Sequence, residues 1–198
     1  MRSAIKFIET DYEKTKEYLL QNSTEQAAFL LAGISRTKEW TTLLVREVIL
    51  VPPKGFLKQS GIYLEIDPVF MAPIIKKARL DNFAVISLHS HPFSGSSVGF
   101  SGVDDGGEEV LMAKIQQRVP GVPHATMVFG QSSIDARIWF SGSKEPVPVD
   151  LIKIIGRTIR EIYPTSAKRI SSSDLSETDN REIPAFGKPG YKRIQQST

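Results

Sequence analysis

The sequence contains no cysteine among its 198 residues. This absence excludes a disulfide framework, a zinc finger with cysteine ligands, and a thiol nucleophile. If the protein is a protease, it is therefore not a cysteine protease. Any metal ion must be held by histidine, aspartate or glutamate, and the chain has only three histidines.

Long apolar runs and a strong charge of one sign are also missing. No apolar stretch approaches the roughly 18 residues that a membrane-spanning helix needs, and the N-terminal segment turns polar too soon for a secretory leader. The 25 basic and 22 acidic residues leave a formal charge of +3, which gives no electrostatic reason to expect nucleic acid. We therefore expect a cytoplasmic protein with no membrane and no nucleic-acid partner.

Apolar periodicity and turn residues predict strands that alternate with helices, hence an α/β or α+β domain. Helices are predicted at 11–22, at 69–80 with Asp67 as N-cap, and from Asp104 or Asp105 to about 119. Strands are predicted at 4–9, 27–34 (where a helix is the alternative), 40–52, 62–66, 83–88, 125–129 and 134–140. Residues 54–61 are predicted as a loop, and 147–155 as an edge strand or short helix. A polar C-terminal segment divides the chain into a domain at 1–160 and a linker or tail at 161–198.

The concentrated chemistry lies between residues 89 and 105. On an extended segment His89 and His91 project to the same side, and Asp104 follows across a glycine-rich loop at a predicted helix start. Two imidazoles, one carboxylate and an open position are the pattern of a catalytic zinc site. The alternative is a solvated strand end followed by an ordinary helix cap. Asp105 is a second candidate for the carboxylate ligand.

The run His89-Ser90-His91-Pro92, followed by Ser101-Gly102-Val103-Asp104, resembles the H-S-H-P…S-x-x-D signature of the JAMM (MPN+/JAB) metalloproteases. An upstream segment of that family, E-x-x-G-x-L-L-G, is similar to residues 25–33, although Ala28 replaces its first glycine and Ala32 is a further difference before Gly33. The loop between the second histidine and the serine has nine residues where the family usually has seven, so we interpret it as carrying a two-residue insertion. The resemblance covers about residues 1–155.

This resemblance implies a fold, a cofactor and a set of roles. The fold would be the JAB/MPN (cytidine-deaminase-like) α/β fold, a mixed curved β-sheet flanked by helices. His89, His91 and Asp104 would bind Zn²⁺. Glu25 would be the general base that takes a proton from the attacking water, and Ser101 would donate a hydrogen bond to the tetrahedral oxyanion. Such an assignment agrees with zinc and acid–base chemistry in general.

The implied function is a zinc metallo-isopeptidase or peptidase that cleaves after the C-terminus of a ubiquitin-like protein, in deconjugation or precursor processing, within a bacterial pathway. The alternatives are a metal-free MPN-type scaffold and a zinc hydrolase of small peptide or amide substrates. Glu25 has a second interpretation as a capping carboxylate after Ser23 and Thr24. Two further acids on predicted strands, Glu47 and Glu65, are expected to be solvated.

The tail contains one further motif. The pattern D-N-R…F-G-x-x-G-x-x-x-I within residues 174–194 resembles the lead-in of ThiF-like activating enzymes. This resemblance predicts a ThiF-like partner, fused or separate, beside the ubiquitin-like protein or its conjugates. The alternative is an unrelated tail.

Overall fold

The computed structural model describes residues 1–167, which form one compact unit. This unit extends beyond the domain boundary predicted at 160, and the motif in 174–194 lies outside the described residues. The helices are α1 (Glu9–Leu20), α2 (Pro68–Asp81) and α3 (Gly102–Arg118), with a 3₁₀ turn at Pro53–Gly55. The strands are β1 (Arg2–Ile8), β2 (Ala27–Arg36), β3 (Trp40–Leu50), β4 (Phe56–Gln59), β5 (Leu64–Ile66), β6 (Ala84–Ser90), β7 (His124–Phe129), β8 (Ile134–Trp139), β9 (Val147–Pro148), β10 (Leu151–Ile155) and β11 (Ile159–Ile162).

Nine strands form a mixed sheet in the order β11-β10-β1-β3-β2-β6-β7-β8-β9. The pairs β1–β10, β1–β3 and β6–β7 are parallel, and the others are antiparallel. The sheet is curled, because only Val149 and Asp150 separate β9, at one end of this order, from β10 near the other. The amide of Val149 donates to the carbonyl of Ala136 on β8 at 2.9 Å. Strands β4 and β5 form a separate hairpin.

The two faces of the sheet carry two apolar cores, and strand alternation divides residues between them. In β2, Ala28, Leu30 and Ala32 pack with Tyr12 and Leu19 of α1. The intervening side chains pack on the opposite face with residues of α2 and α3; they are Ala27, Phe29 and Leu31. The curled sheet therefore holds α1 on one face and α2 and α3 on the other, as an α/β domain with a mixed sheet flanked by helices.

Most predicted elements are confirmed, and α2 shows why. Asp67 is its N-cap and accepts a hydrogen bond from the amide of Val69 at 2.8 Å. Pro68 occupies the first turn, where its missing N–H costs nothing. Pro73 lies within the helix, about one turn from its start, as the sequence predicts. No helix in residues 1–167 is long and apolar enough to cross a membrane.

Three expectations about elements are corrected. Residues 56–59 form β4 rather than a loop, because the hairpin is made by backbone pairing to β5 and buries little side chain. Residues 151–155 are a strand but not an edge strand, since β1 and β11 pair on either side of β10. Helix α3 begins at Gly102 rather than at Asp104 or Asp105, because Ser101 is its N-cap.

Candidate metal centre

His89 and His91, at the end of β6, meet Asp104 from the first turn of α3. Each offers one ligand atom, and these atoms all lie within 4.8 Å of one another. The Nε2 of His89 lies 3.2 Å from Oδ1 of Asp104, and the Nε2 of His91 lies 3.4 Å from Oδ2. The two imidazole rings are 5.0 Å apart between centroids. The structure thus brings together the three residues that the sequence predicts as ligands.

Backbone hydrogen bonds fix the end of β6 against its neighbours. The amide of Ser90 donates to the carbonyl of Gln26 at 3.0 Å, and the Ser90 hydroxyl oxygen accepts from the amide of Gln26 at 3.0 Å. The amide of His91 donates to the carbonyl of Phe129, the last residue of β7, at 2.8 Å. Ser90 is completely buried. Both histidines therefore stand on a rigid part of the sheet.

The start of α3 orients Asp104 through a capping box. The Ser101 hydroxyl oxygen accepts from the amide of Asp104 at 3.2 Å, while the Ser101 amide donates to Oδ2 of Asp104 at 2.6 Å. This reciprocal pair satisfies two amides of the first turn. Asp105 points elsewhere, because its Oδ1 lies 2.7 Å from a guanidinium nitrogen of Arg137. Of the two carboxylates left open by the sequence, Asp104 and not Asp105 belongs to the group that could hold a metal ion.

Glu25 lies next to this group, two residues before the start of β2. Its Oε1 is 3.6 Å from Nε2 of His91, and the residue is only 4% exposed. Its amide donates to the carbonyl of Ser60, and its carbonyl accepts from Nε2 of Gln59 at 2.7 Å. The hairpin of β4 and β5 therefore fixes the backbone that carries this carboxyl group.

The electrostatics of the group suit a cation and a base. Burial raises the pKa of Glu25 to about 7; the charge of His91 opposes this increase and that of Asp104 adds to it. Burial also acts to raise the pKa of Asp104, but the close imidazoles of His89 and His91 hold it well below its usual range. The pKa of His91 is raised, chiefly by its hydrogen bond to Asp104 and against the effect of burial.

The Nε2 atom of His89 is better placed to bind a metal ion than to form a hydrogen bond with neighbouring protein atoms. Within residues 1–167 the Nε2 of His89 is buried and has no hydrogen-bond partner. Asp104 approaches it to 3.2 Å, but this contact lacks hydrogen-bond geometry. Buried polar atoms are rarely left unpaired. Two imidazoles and a carboxylate, with one nitrogen unsatisfied, form a donor set that could hold a divalent ion.

Glu47 and Glu65, which are expected from the sequence to be solvated, and His124, the third histidine of the chain, do not belong to this group. Glu47 forms an ion pair with Lys77, and Glu65 lies 3.7 Å from Lys58, in line with solvated strand faces. His124 is fully buried: the amide of Val85 donates to its Nδ1, and its Nε2 contacts the carbonyl of Val119, each at 3.0 Å. These backbone contacts give His124 a structural role.

The loop that joins the two ligand segments, residues 92–101, is docked on the turn between β7 and β8. The amide of Val98 donates to the Ser133 hydroxyl at 2.8 Å, and the amide of Gln131 donates to the carbonyl of Ser94 at 3.0 Å. Val98 is buried although it lies in the middle of this loop. The two extra residues inferred from the sequence therefore belong to a loop that is held in place.

Two aromatic side chains of this loop cover the histidines. The ring of Phe93 stacks on His91 at 5.3 Å and 18° between planes. Phe100 lies 6.1 Å from the ring of His89, in a tilted arrangement. Neither phenylalanine was singled out from the sequence, because the loop composition of glycine and serine gives no periodicity that would place them.

A cleft of about 470 Å³ leads to the centre. One wall is β5 with the turn before it and the start of α2, and the other is α3; Glu25, His89 and Asp104 line the cleft between them. Several apolar residues that line it are largely exposed: Ile62, Tyr63, Val103 and Val110. An open apolar cleft that ends on a group of convergent polar side chains is the usual form of a ligand site.

No family model matches this chain, and no curated protein sequence matches it. Among solved structures, the chain is similar to protein DSY2949 from Desulfitobacterium hafniense, determined in solution. The TM-score is 0.48 at 15% sequence identity, over 77% of this chain and 95% of that one. A TM-score below 0.5 is too low for this likeness to support an inference about function.

Proposed function

We propose that the protein is a zinc metalloprotease of the JAMM type, with the JAB/MPN fold, that cleaves an isopeptide or peptide bond after the C-terminus of a ubiquitin-like protein. One observation carries the proposal. His89, His91 and Asp104 converge on one point, and the buried carboxyl group of Glu25 lies 3.6 Å from His91. Zinc bound by the three ligands would polarise the scissile carbonyl and lower the pKa of the attacking water.

Glu25 moves the proton in this proposal. Its pKa of about 7 leaves it partly ionised near neutral pH, and a general base works best when its pKa lies near the working pH. Once ionised, it takes a proton from the attacking water. The same carboxylic acid then gives that proton to the leaving amine, so no other acid is needed.

Ser101 supplies a hydrogen bond to the developing oxyanion. Its hydroxyl oxygen already accepts from the amide of Asp104, which leaves the hydroxyl hydrogen free to donate. The capping box thus holds this donor beside the ligand it caps. An oxyanion donor of this kind typically contributes about 100–1000-fold to kcat.

The cleft between the hairpin and α3 fits an extended peptide better than a compact substrate. Apolar side chains of the hairpin and of α3 line it, together with Glu25, His89 and Asp104. The β4–β5 hairpin offers strand backbone along one wall, to which an extended peptide can add as a further strand. The flexible C-terminal tail of a ubiquitin-like protein has this form, which favours it over small amides.

Cleavage by the zinc-loaded protein tests the proposal. Linear and isopeptide-linked fusions of candidate ubiquitin-like proteins are incubated with the protein, with and without a chelator, and the products are identified by mass spectrometry. We expect chelator-sensitive cleavage directly after the ubiquitin-like C-terminus. Cleavage of short peptides but of no fusion would indicate the small-substrate hydrolase instead. A purified chain that binds no zinc and cuts nothing would indicate the metal-free scaffold.

A further inference from the structure

Arg137 of β8 occupies the junction between α3, the 92–101 loop and the sheet. Its neighbours on β8, Ala136 and Ile138, face the core that contains α1, so Arg137 projects to the face that carries α3. Its side chain is only 17% exposed. A guanidinium group presents five donors in a planar fork, which suits it to join several partners at once.

Two acids of α3 bind this guanidinium group. Nη1 lies 2.7 Å from Oδ1 of Asp105, and Nε donates to Oε2 of Glu108 at 2.7 Å. The same Oε2 accepts from the hydroxyl of Thr126 on β7 at 2.8 Å. Asp105 follows Asp104 directly, and Glu108 lies one turn further along the helix. Arg137 therefore fixes the first two turns of α3 against β7 and β8.

Arg137 also contacts the 92–101 loop. Its guanidinium carbon lies 3.9 Å from the centroid of the Phe100 ring, within the range of a cation–π interaction. Phe100 in turn lies against His89. One side chain thus links the helix that carries Asp104 to the aromatic ring that covers His89.

We propose that Arg137 is a positioning residue for the metal centre, holding α3 through Asp105 and Glu108 and the 92–101 loop through Phe100. The inference rests on the proposed function, since it assigns this role toward the metal ligands. The ligands come from two segments, β6 and α3, that are joined only by the glycine- and serine-rich loop. The loop is docked on the β7–β8 turn through Val98 and Ser94, and Arg137 adds the contact that joins its last residues, through Phe100, to the first two turns of α3.

Zinc affinity, measured by competition with a chromophoric chelator, tests this role. Loss of an outer-shell partner typically weakens metal binding by about 10–100-fold, and we expect Arg137→Gln to weaken it by about tenfold. Arg137→Lys should not restore it, because an ammonium group has neither a planar fork for the two carboxylates nor a flat face for the Phe100 ring. The matched control is Arg160→Gln. Arg160 also binds two acids of a helix, Glu9 and Glu13 of α1, and lies over the Tyr12 ring. It lies on β11, which carries none of the proposed ligands.

A second variant keeps the test decisive where Arg137→Gln fails to fold because it leaves Glu108 buried and unpaired. Phe100→Leu removes the loop contact without exposing a charge, and we expect it to weaken zinc binding by about threefold or more. In the double variant Glu108→Gln/Arg137→Gln both charges are removed, and the loss of affinity should persist. Unchanged affinity in Arg137→Gln or in this double variant would overturn the proposal.

Hydrogen exchange in the metal-free protein separates this proposal from the proposed function. Amides of residues 96–104 should exchange faster in Arg137→Gln than in the wild type, and should not change in Arg160→Gln. If the wild type binds no zinc, the proposed function fails while this exchange result still tests the positioning role. If zinc binds tightly to the wild type and equally tightly to Arg137→Gln, the positioning role fails and the proposed function stands.

Discussion

Substituting Gly130 should loosen the loop that joins the metal ligands. Gly130 follows β7, and a Cβ atom built on it would lie 2.9 Å from Cβ of Val98 and 3.1 Å from the carbonyl oxygen of Ser94. Both atoms belong to the 92–101 loop, and neither is the end of a flexible side chain. Gly130→Ala can therefore be accommodated only if the loop moves off the β7–β8 turn.

The expected cost follows from this overlap. Forcing an extra methyl group into a packed site costs about 1–3 kcal/mol. For a chain of this size, each kcal/mol lowers Tm by about 2–4 °C, so we expect a decrease of about 2–12 °C, measured by calorimetry of the metal-free protein. Zinc affinity should fall as well, because the displaced loop carries the links to both ligand segments.

Gly99→Ala is the matched control in the same loop. A Cβ atom on Gly99 has no neighbour within 4 Å, and its backbone lies outside the left-handed region. This variant should leave Tm unchanged or raise it by an amount that corresponds to about 0.4–1 kcal/mol. If Gly130→Ala melts and binds zinc like Gly99→Ala, the docking of the loop on Gly130 is not what fixes the ligands.

Three further predictions concern the ligands and the base. Glu25→Gln should bind zinc but lose about 100–10,000-fold in kcat, the usual effect of removing a general base; wild-type turnover would exclude Glu25 from that role. Asp104→Asn should weaken zinc binding by more than about 100-fold, whereas Asp105→Asn should change it by much less, as measured by chelator competition. In the metal-free protein at pH 8, Glu25→Gln should be more stable than the wild type by up to about 3 kcal/mol. The sign follows from the pKa of Glu25, which folding raises from 4.5 to about 7. The stabilisation from the protonated carboxyl group is complete below pH 4.5 and is lost as pH rises through 7. Equal denaturation midpoints of the two proteins at pH 8 would contradict this.

Local signals in the sequence predicted most of the elements because those elements are specified locally. Helix α2 has a capping aspartate, a proline in its first turn and an apolar face. Strand β6 is a short, almost fully buried apolar run that ends at the two histidines. In each case the side chains that define the element also form its packing, so a periodic pattern is visible in the chain itself.

The errors arose where backbone pairing, rather than a pattern of side chains, sets the structure. Strand β10 owes its internal position to parallel pairing with β1, almost the whole domain away in sequence. Strand β4 is held by backbone pairing with β5 and has mostly exposed side chains, so it carries no apolar alternation. In both cases the pairing of the backbone leaves no apolar pattern in the sequence from which the strand or its position could be predicted.

The candidate site divides in the same way. His89, His91 and Asp104 were predicted from spacing and resemblance, and the structure brings them together with Glu25. Arg137 was not found, because an arginine on a strand normally indicates a solvated face. The one available signal was its position between two core residues of β8, which placed a charged side chain on a face that a helix must cover.

Anomalous diffraction at the zinc edge, from crystals of the zinc-loaded protein, tests the central claim most directly. We predict one anomalous peak at about 2.0–2.2 Å from a nitrogen of His89, a nitrogen of His91 and a carboxylate oxygen of Asp104, with the carboxyl group of Glu25 close by but outside the ligand set. A map with no peak at these three residues, or with a peak held by other side chains, would contradict the account.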